Sequence, residues 1–166
     1  MRLLVTGGYG FIGSNFILKL LKENNDFQII NIDAELTGSN PKNLVEVQNH
    51  KNYEFVKGNI TNKKFMEEQI TNCDAVINFA AETFVDRSIN DANPFLVSNI
   101  RGAYTILDII TKQKKRMIQI STDEVFGSLI DGTATEQSKL NPSSPYAATK
   151  AAAELLVNSY STTYGS

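Results

Sequence analysis

Several chemistries are excluded by what this sequence of 166 residues has little of. Its single cysteine, Cys73, rules out an intramolecular disulfide and a cysteine-only metal site, and we expect it to lie half-buried before a strand. Its single histidine, His50, lies in a polar stretch, which argues against a histidine-based triad and a histidine-rich metal site. We therefore expect no metal centre.

The sequence also lacks a charge excess and a long apolar run. A formal net charge of −2 offers no basic surface for nucleic acid or an anionic membrane. No segment reaches the ~20 apolar residues of a membrane-spanning helix, and no signal-peptide pattern precedes the first apolar run. These features predict a soluble, cytoplasmic protein whose residues 1–166 form one domain.

The most informative segment that is present is TGGYGFIG, which follows an apolar run and opens an amphipathic one. It satisfies two dinucleotide-binding spacings, one through Gly7, Gly10 and Gly13 and one through Gly8, Gly10 and Gly13. Such a turn lets backbone approach a pyrophosphate, and the following helix offers free N–H groups to it. Asp33 closes the next apolar run, where an acidic residue bonds an adenosine ribose and favours NAD.

Short apolar runs alternate with helical patterns along the chain, which predicts a doubly wound parallel α/β sheet of the Rossmann type, ordered 3-2-1-4-5. The predicted strands are Arg2–Thr6, Gln28–Asp33, Tyr53–Lys57, Ala75–Phe79 and Met117–Ser121. The predicted helices lie near 11–24, 62–71, 94–114 and 145–163, with long loops at 34–49 and 122–143. Asn93 and Ser144, each before a proline, are predicted to cap the last two helices.

Tyr146 and Lys150 stand four residues apart in a predicted helix, so their side chains share a face. A tyrosine with its ordinary pKa of about 10 is a poor base, but an adjacent ammonium and a nicotinamide cation would lower that pKa towards about 7. The pair would then remove a hydroxyl proton as hydride leaves the same carbon. An ordinary surface contact between the two side chains is the alternative.

Thr122, Asp123 and Glu124 directly follow the fifth predicted strand, at the edge of the sheet where ligands bind. In a cleft, one carboxyl group could stay protonated while the other ionises, which would give an acid and a base. Thr122 adds a hydroxyl at the same place. A solvated turn is the alternative.

Five segments resemble the extended short-chain dehydrogenase/reductase family, and within it the nucleotide-sugar 4,6-dehydratases, above all those that act on dTDP-glucose. They are TGGYGFIG, the position of Asp33, NFAAETFVDRSI (Asn78–Ile89), ISTDEVFG (Ile120–Gly127) and SPYAATKAAAE (Ser144–Glu154). The glycine motif and YxxxK mark the superfamily broadly, whereas the Thr-Asp-Glu triplet is the dehydratase-like element. Phe84 stands where the family has a histidine, and Asn59 where it has an aspartate.

The resemblance implies bound NAD and the activity of a hydro-lyase that forms a 4-keto-6-deoxy sugar. It implies that Tyr146 takes the proton of the sugar 4-hydroxyl, that Glu124 removes the C5 proton, and that Asp123 assists loss of the 6-hydroxyl. Residues implied to contact the sugar are Thr83, Phe84 and Thr122. Residues implied to contact the cofactor are Gly7, Gly10, Phe11, Ile12, Gly13, Asp33, Asn59, Ile60, Ala80, Ala81, Thr83, Ser98, Asn99, Tyr146 and Lys150.

Members of this family continue beyond the tyrosine helix with more sheet and a carboxyl-terminal substrate lobe. We therefore expect this chain to be the cofactor-binding half, which binds NAD but has little turnover alone. A homodimer through the helices near 94–114 and 145–163 is also expected, although the apolar residues there could equally be core. They are Ile106, Leu107, Ile110, Leu155, Leu156 and Val157. A nucleotide-sugar 4-epimerase, a decarboxylase of the superfamily and a non-catalytic NAD-binding module are the competing functions.

Overall fold

A parallel five-stranded sheet forms the centre of the molecule, which a computed structural model describes for residues 1–23, 26–129 and 131–165. Its order, β3-β2-β1-β4-β5, confirms the predicted doubly wound topology. The strands are β1 (Arg2–Thr6), β2 (Gln28–Asp33), β3 (Tyr53–Lys57), β4 (Ala75–Asn78) and β5 (Arg116–Gln119). The chain winds outward from β1 in both directions, so a crevice opens beyond the carboxyl ends of β1 and β4.

The helices cover both faces of this sheet. They are α1 (Phe11–Glu23), α2 (Lys63–Thr71), α3 (Val85–Asn90), α4 (Asn93–Phe95), α5 (Ala103–Gln113) and α6 (Pro145–Tyr164). A π-helical segment, Leu96–Gly102, joins α4 to α5, and 3₁₀ segments span Pro41–Val47 and Asp123–Phe126. The sequence did not predict α3 or the two 3₁₀ segments. The predicted helix end at residue 24 and Ile130 of the predicted loop 122–143 lie outside the described residues.

The inner strands β1 and β2 are mainly apolar on both faces because helices cover each face. Leu4 and Ile30 pack with α2 and α5 on one side, while Val5 and Ile29 pack with α1 on the other. This follows from the alternation of side chains along a strand. Each fully buried aliphatic side chain contributes roughly 1.5–3 kcal/mol, so the two layers fix the register of the strands.

The predicted caps and the predicted burial of the cysteine have different outcomes. Ser144 caps α6 as predicted, since its Oγ accepts the N–H of Ala147 at 3.1 Å. The same prediction for Asn93 is wrong, because α4 begins at Asn93 and Asp91 Oδ1 accepts the Asn93 N–H at 2.9 Å. Cys73 is not half-buried but 2% exposed, and burial raises the pKa of its thiol.

The apolar residues of the two long helices mostly pack in the core of one chain, so a buried core, which the sequence left open beside a dimer surface, accounts for most of them. The dimer itself stays a prediction. Ile106, Leu107 and Ile110 are between 0% and 3% exposed. Leu156 and Val157 pack against the same cluster, whereas Leu155 is 59% exposed. Within the described residues, no helix has the length and apolar character needed to cross a bilayer.

Candidate cofactor and active site

A cleft of about 450 Å³ opens at the carboxyl end of the sheet, over the point where the strand order reverses. The glycine turn, the loops after β2, β3, β4 and β5, and the start of α6 line it. It brings together most of the sequence-predicted site residues. These are Gly7, Gly10, Phe11, Ile12, Gly13, Asp33, Asn59, Ile60, Ala80, Ala81, Thr83, Phe84, Ser98, Thr122, Tyr146 and Lys150.

The glycine turn is shaped by close approaches that a side chain would block. Gly7 has a φ of +71°, and a methyl group on it would stand 2.6 Å from the backbone nitrogen of Ala80. A methyl group on Gly13 would stand 2.5 Å from the carbonyl oxygen of Gly7. The turn therefore packs backbone against backbone, and the first turn of α1 lines the cleft. A helix start in this position is an anion-binding site.

Asp33 holds the glycine turn and the loop after β2 on a single carboxylate, which is buried at the edge of the cleft. Its Oδ2 accepts the N–H of Tyr9 at 3.0 Å. Its Oδ1 accepts the N–H of Glu35 at 2.8 Å and the hydroxyl of Ser39 at 2.6 Å. Because an ionised carboxylate has about four acceptor sites, Asp33 keeps capacity for one ligand hydroxyl.

Large apolar side chains are exposed around the same cleft, close to the glycine turn. Phe11 is 81% exposed, Ile12 60%, Leu36 54% and Phe84 48%. Exposed apolar groups around a concave site are typical of a surface that a ligand covers.

Phe84 reaches from the loop after β4 towards the loop after β2. A methyl group on Gly38 would stand 3.6 Å from its Cε2. The Arg87 guanidinium lies over the Phe84 ring, 5.8 Å from its centroid, and pairs with Glu82 at 3.4 Å. Phe84 therefore lies towards the Asp33 end of the cleft, and its predicted contact with the sugar stays a prediction.

Tyr146, Lys150 and Thr122 meet at the other end of the cleft, beside β5, which lies three strand spacings or about 14 Å from β2. The Tyr146 side chain is buried and hydrogen-bonded to that of Thr122. The Lys150 ammonium is 5% exposed and donates to the Ile120 carbonyl at 2.6 Å. Burial lowers the pKa of Lys150 to about 8.

The protein groups around Tyr146 keep its hydroxyl protonated at neutral pH. Burial is the main cause that raises its pKa, and the charges of Glu124 and Asp123 act in the same direction. The hydrogen bond with Thr122 lowers the pKa without reversing the shift. The lowering predicted from the Lys150 ammonium is therefore not met by the protein alone, because that ammonium is directed to a carbonyl.

Asp123 and Glu124 lie in the 3₁₀ segment after β5, and their side chains are exposed. Thr122 begins this segment, with its Oγ1 accepting the Glu124 N–H at 3.3 Å. The charges of both carboxylates raise the pKa of Tyr146, so the two residues lie near the end of the cleft that Tyr146 lines. Neither residue lines the cleft in this structure, and their roles as an acid and a base stay predictions.

Comparison with known proteins separates the families that share this geometry. The family model for GDP-mannose 4,6 dehydratase matches residues 4–166. The chain belongs to this family. Low-salt glycan biosynthesis protein Agl12 of Haloferax volcanii is 45% identical over 165 residues, which are 99% of this chain and 53% of that protein. The dTDP-glucose 4,6-dehydratase of Mycolicibacterium smegmatis is 44% identical over 168 residues, 99% of this chain and 50% of that protein.

Solved structures agree with the assignment to the GDP-mannose 4,6 dehydratase family. DesIV, the dTDP-glucose 4,6-dehydratase of Streptomyces venezuelae with NAD and TYD bound, matches with a TM-score of 0.95 and 41% identity. The match covers 99% of this chain and 53% of DesIV. Structures of UDP-glucose 4-epimerases share the fold at 27% to 28% identity. This chain thus spans about half the length of the relatives it matches.

In this member of the GDP-mannose 4,6 dehydratase family, Ser98 lines the cleft but Asn99 does not. Asn99 is 3% exposed, and its amide is bonded to the backbone of Glu82 and to Thr149. These bonds hold Asn99 away from the cleft lining, where it supports the loop after β4, and its predicted contact with the cofactor stays a prediction.

Sequence analysis missed other residues that line the cleft. They are Ile32, Ala34, Leu36, Thr37, Gly38, Ser39, Gly58, Phe79, Glu82, Ile120 and Ser121. About half belong to the loop after β2, which the Tyr9 carbonyl fixes by accepting from Asn40 at 3.0 Å and Asn43 at 3.1 Å. The signal available was the polar run Ser39–Asn43, since such residues bond nearby backbone and carboxylates.

Proposed function

We propose that residues 1–166 form the NAD-binding unit of a nucleotide-sugar 4,6-dehydratase that converts dTDP-glucose to its 4-keto-6-deoxy product. One observation carries the proposal: the groups for the cofactor and those for the proton transfer at the sugar 4-hydroxyl line one cleft. Asp33 and the glycine turn lie at one end, and Tyr146 and Lys150 lie at the other. The presence of NAD in the structure of DesIV supports the choice of cofactor.

The chain's own groups fit a dinucleotide. The glycine turn would hold the pyrophosphate, because only glycine permits the approach of Gly7 to Ala80 and the N–H groups of α1 begin there. The remaining acceptor capacity of Asp33 would take a ribose hydroxyl, and a second negative group nearby would be repelled by its charge. The exposed apolar side chains of Phe11 and Ile12 would cover the bound molecule.

Bound NAD⁺ would supply a hydride acceptor and a positive charge. Tyr146 would take the proton of the sugar 4-hydroxyl, with Thr122 bonded to the same oxygen. Since the protein groups raise the pKa of Tyr146, a cation bound in the cleft would be needed to favour its phenolate. Lys150, largely protonated at neutral pH with a pKa of about 8, would bond a ribose hydroxyl from its buried position.

Asp123 and Glu124 would perform the elimination, Glu124 as the base at C5 and Asp123 as the acid for the 6-hydroxyl. The hydride removed from C4 would then be returned to C6, so that water is the only group lost and the product is the 4-keto-6-deoxy sugar. In this chain both side chains are exposed, whereas an acid and a base with separated roles need a shielded site. We therefore propose that the chain alone binds NAD with little turnover. A homodimer and a cytoplasmic location also stay predictions, with the exposed Leu155 as a contact point for the dimer.

The test of the cofactor half is a calorimetric titration of the chain with NAD⁺, repeated with Asp33→Asn. We expect the variant to bind roughly tenfold to a hundredfold more weakly, since it loses a charged acceptor worth about 1.5–3 kcal/mol. Asp131→Asn, at an exposed carboxylate remote from the cleft lining, is the control and should bind as the wild type does. Absence of NAD⁺ binding by the wild type would refute the proposal.

A second test separates the dehydratase from a 4-epimerase, a decarboxylase and a non-catalytic module. Asp123→Asn combined with Glu124→Gln should abolish formation of a 4-keto-6-deoxy sugar from dTDP-glucose while leaving NAD⁺ affinity unchanged, because neither residue lines the cleft. Product is measured by mass spectrometry after long incubation. A wild-type chain that epimerises the sugar, or turns it over as well after the double substitution, would favour an alternative.

A further inference from the structure

The start of α6 presents its N–H donors to two different acceptors. The first turn of a helix has no intrahelical partners for these groups. Ser144, the local cap, accepts the N–H of Ala147. The N–H of Tyr146 is instead taken by a residue 58 positions away in sequence, since Ser88 Oγ accepts it at 3.0 Å.

Ser88 uses both functions of its hydroxyl to join two elements. It accepts from Tyr146 and donates to the carbonyl of Val85 at 2.6 Å. The residue is 1% exposed, so no solvent is available to replace either bond. Loss of the acceptor would leave a buried N–H unpaired, which is unfavourable because the donor keeps its full desolvation penalty. The link fixes the backbone of Tyr146 to α3, the helix that directly follows the loop after β4.

A second buried link holds the carbonyl of the same residue. Thr149 Oγ1 donates to the Tyr146 carbonyl at 2.7 Å and accepts from Asn99 Nδ2 at 2.9 Å. The Asn99 amide also binds both backbone groups of Glu82, at 2.8 Å and 3.0 Å. Glu82 itself lines the cleft. Both polar groups of the Tyr146 residue are thereby tied to the segment Glu82–Val85.

We propose that Ser88, assisted by the link through Thr149 and Asn99, is a positioning residue that sets the distance between the Tyr146 hydroxyl and the cofactor. The inference rests on the proposed function, because it requires NAD⁺ to lie against the loop after β4. Two buried bridges converge on the one residue of α6 whose side chain is assigned the proton transfer. The neighbouring Ala147 is satisfied by the local cap and has no such bridge to α3.

This geometry has a consequence that does not depend on turnover. A cation held at a fixed short distance favours the phenolate, so NAD⁺ should lower the pKa of Tyr146. If the Tyr146 backbone were free to move, this distance would be longer or less well defined, and NAD⁺ would lower the pKa of Tyr146 less. The readout is the pKa of the Tyr146 phenol, followed by NMR of the chain labelled with ¹³Cζ-tyrosine, with and without saturating NAD⁺. Tyr146→Phe identifies the signal.

Ser88→Ala should keep less than about half of the NAD⁺-induced lowering seen in the wild type, because charge interactions weaken as distance grows and water enters. Its Tyr146 amide should also exchange with solvent faster. Ser144→Ala is the matched control: it removes a cap of the same helix and leaves both links to Tyr146 intact. It should retain the full lowering.

An equal NAD⁺-induced lowering in Ser88→Ala and Ser144→Ala would overturn the proposal and assign Ser88 to stability alone. Should Ser88→Ala fail to fold, Thr149→Val removes the second link at nearly constant volume and should reduce the lowering in the same way. A wild type that binds NAD⁺ with no change in the pKa of Tyr146 would overturn this inference and spare the cofactor assignment. A wild type that binds no NAD⁺ would refute both.

Discussion

The two ends of the cleft differ in how fully their polar side chains are buried and hydrogen-bonded. At the cofactor end, Asp33 accepts three hydrogen bonds and Gly7 packs against the backbone of Ala80. At the reaction end, Tyr146 and Lys150 are buried, but the acidic pair beside them is exposed. Under the proposed function, cofactor binding and turnover of the sugar would therefore be separable. The first depends on backbone geometry, and the second on enclosure.

The largest effect should come from breaking the cofactor end at its backbone contact. Gly7→Ala combines a φ of +71° with a methyl group 2.6 Å from Ala80 N. We expect NAD⁺ affinity measured by calorimetry to fall by at least about a hundredfold, since strain and displacement together exceed about 3 kcal/mol. Gly132→Ala is the control, because Gly132 has a φ of +83° with open space around it. Unchanged affinity in Gly7→Ala would show that this approach is not part of the site.

An effect of intermediate size is expected at the reaction end, where Lys150 should make the free energy of unfolding depend on pH. Burial lowers the pKa of Lys150 from 10.5 to about 8, so the unfolded chain binds more protons than the folded chain between these pH values. The buried charge costs stability below pH 8, and this cost disappears as Lys150 loses its proton. The free energy of unfolding, relative to Lys150→Met, should therefore rise with pH across this window by up to about 3 kcal/mol.

The measurement is denaturant unfolding of both proteins at several pH values from 7 to 10.5 or so. Lys139→Met, at an exposed lysine, serves as the control and should follow the wild type throughout. A flat difference between wild type and Lys150→Met would show that the ammonium is solvated in the folded chain.

The smallest effect should come from the exposed side of the cofactor end. Asn59 lines the cleft, and its Oδ1 accepts the N–H of Thr61 at 3.0 Å and the hydroxyl of the same residue at 2.8 Å. Asn59→Asp keeps these acceptors and adds an exposed charge. NAD⁺ affinity should change less than about threefold, because exposed charges contribute less than about 1 kcal/mol. A larger change would mean that Asn59 is a direct contact of the adenosine half.

The parts of the fold that follow from local pattern were predictable. The three strands Arg2–Thr6, Gln28–Asp33 and Tyr53–Lys57 have the predicted bounds, because apolar runs between turn signals define buried parallel strands. The helix Val85–Asn90 was missed because six residues are too few to show a helical period. The burial of Ile106 could not be predicted either, because the sequence does not say whether this face of α5 packs in the core of its own chain or against a second copy.

Within the candidate site, residues that belong to a motif of fixed spacing were easier to predict than residues that tertiary contacts bring to the cleft. The motif of Gly7 and the pair of Tyr146 and Lys150 do line one cleft. Asn99 does not line the cleft, and the π-helical segment Leu96–Gly102 that carries it gives no signal in the sequence. The loop at 34–49 was predicted, but the part of it that lines the cleft was not, because its position is set by bonds to Asp33 over which the polar run Ser39–Asn43 gives only a weak signal.

The central strand of the sheet is made from the first residues of the chain, and this affects how the protein folds. Thr6 of β1 donates a hydrogen bond to Asn78 of β4, 72 residues later in the sequence. The glycine turn packs against the backbone of Ala80, two residues after Asn78. During synthesis β1 therefore leaves the ribosome before β4 and stays without that neighbour until β4 has followed. Pairing over such separations is slow and leaves strand edges open meanwhile. The glycine turn thus acquires its final shape only after the residues around Ala80 have been made.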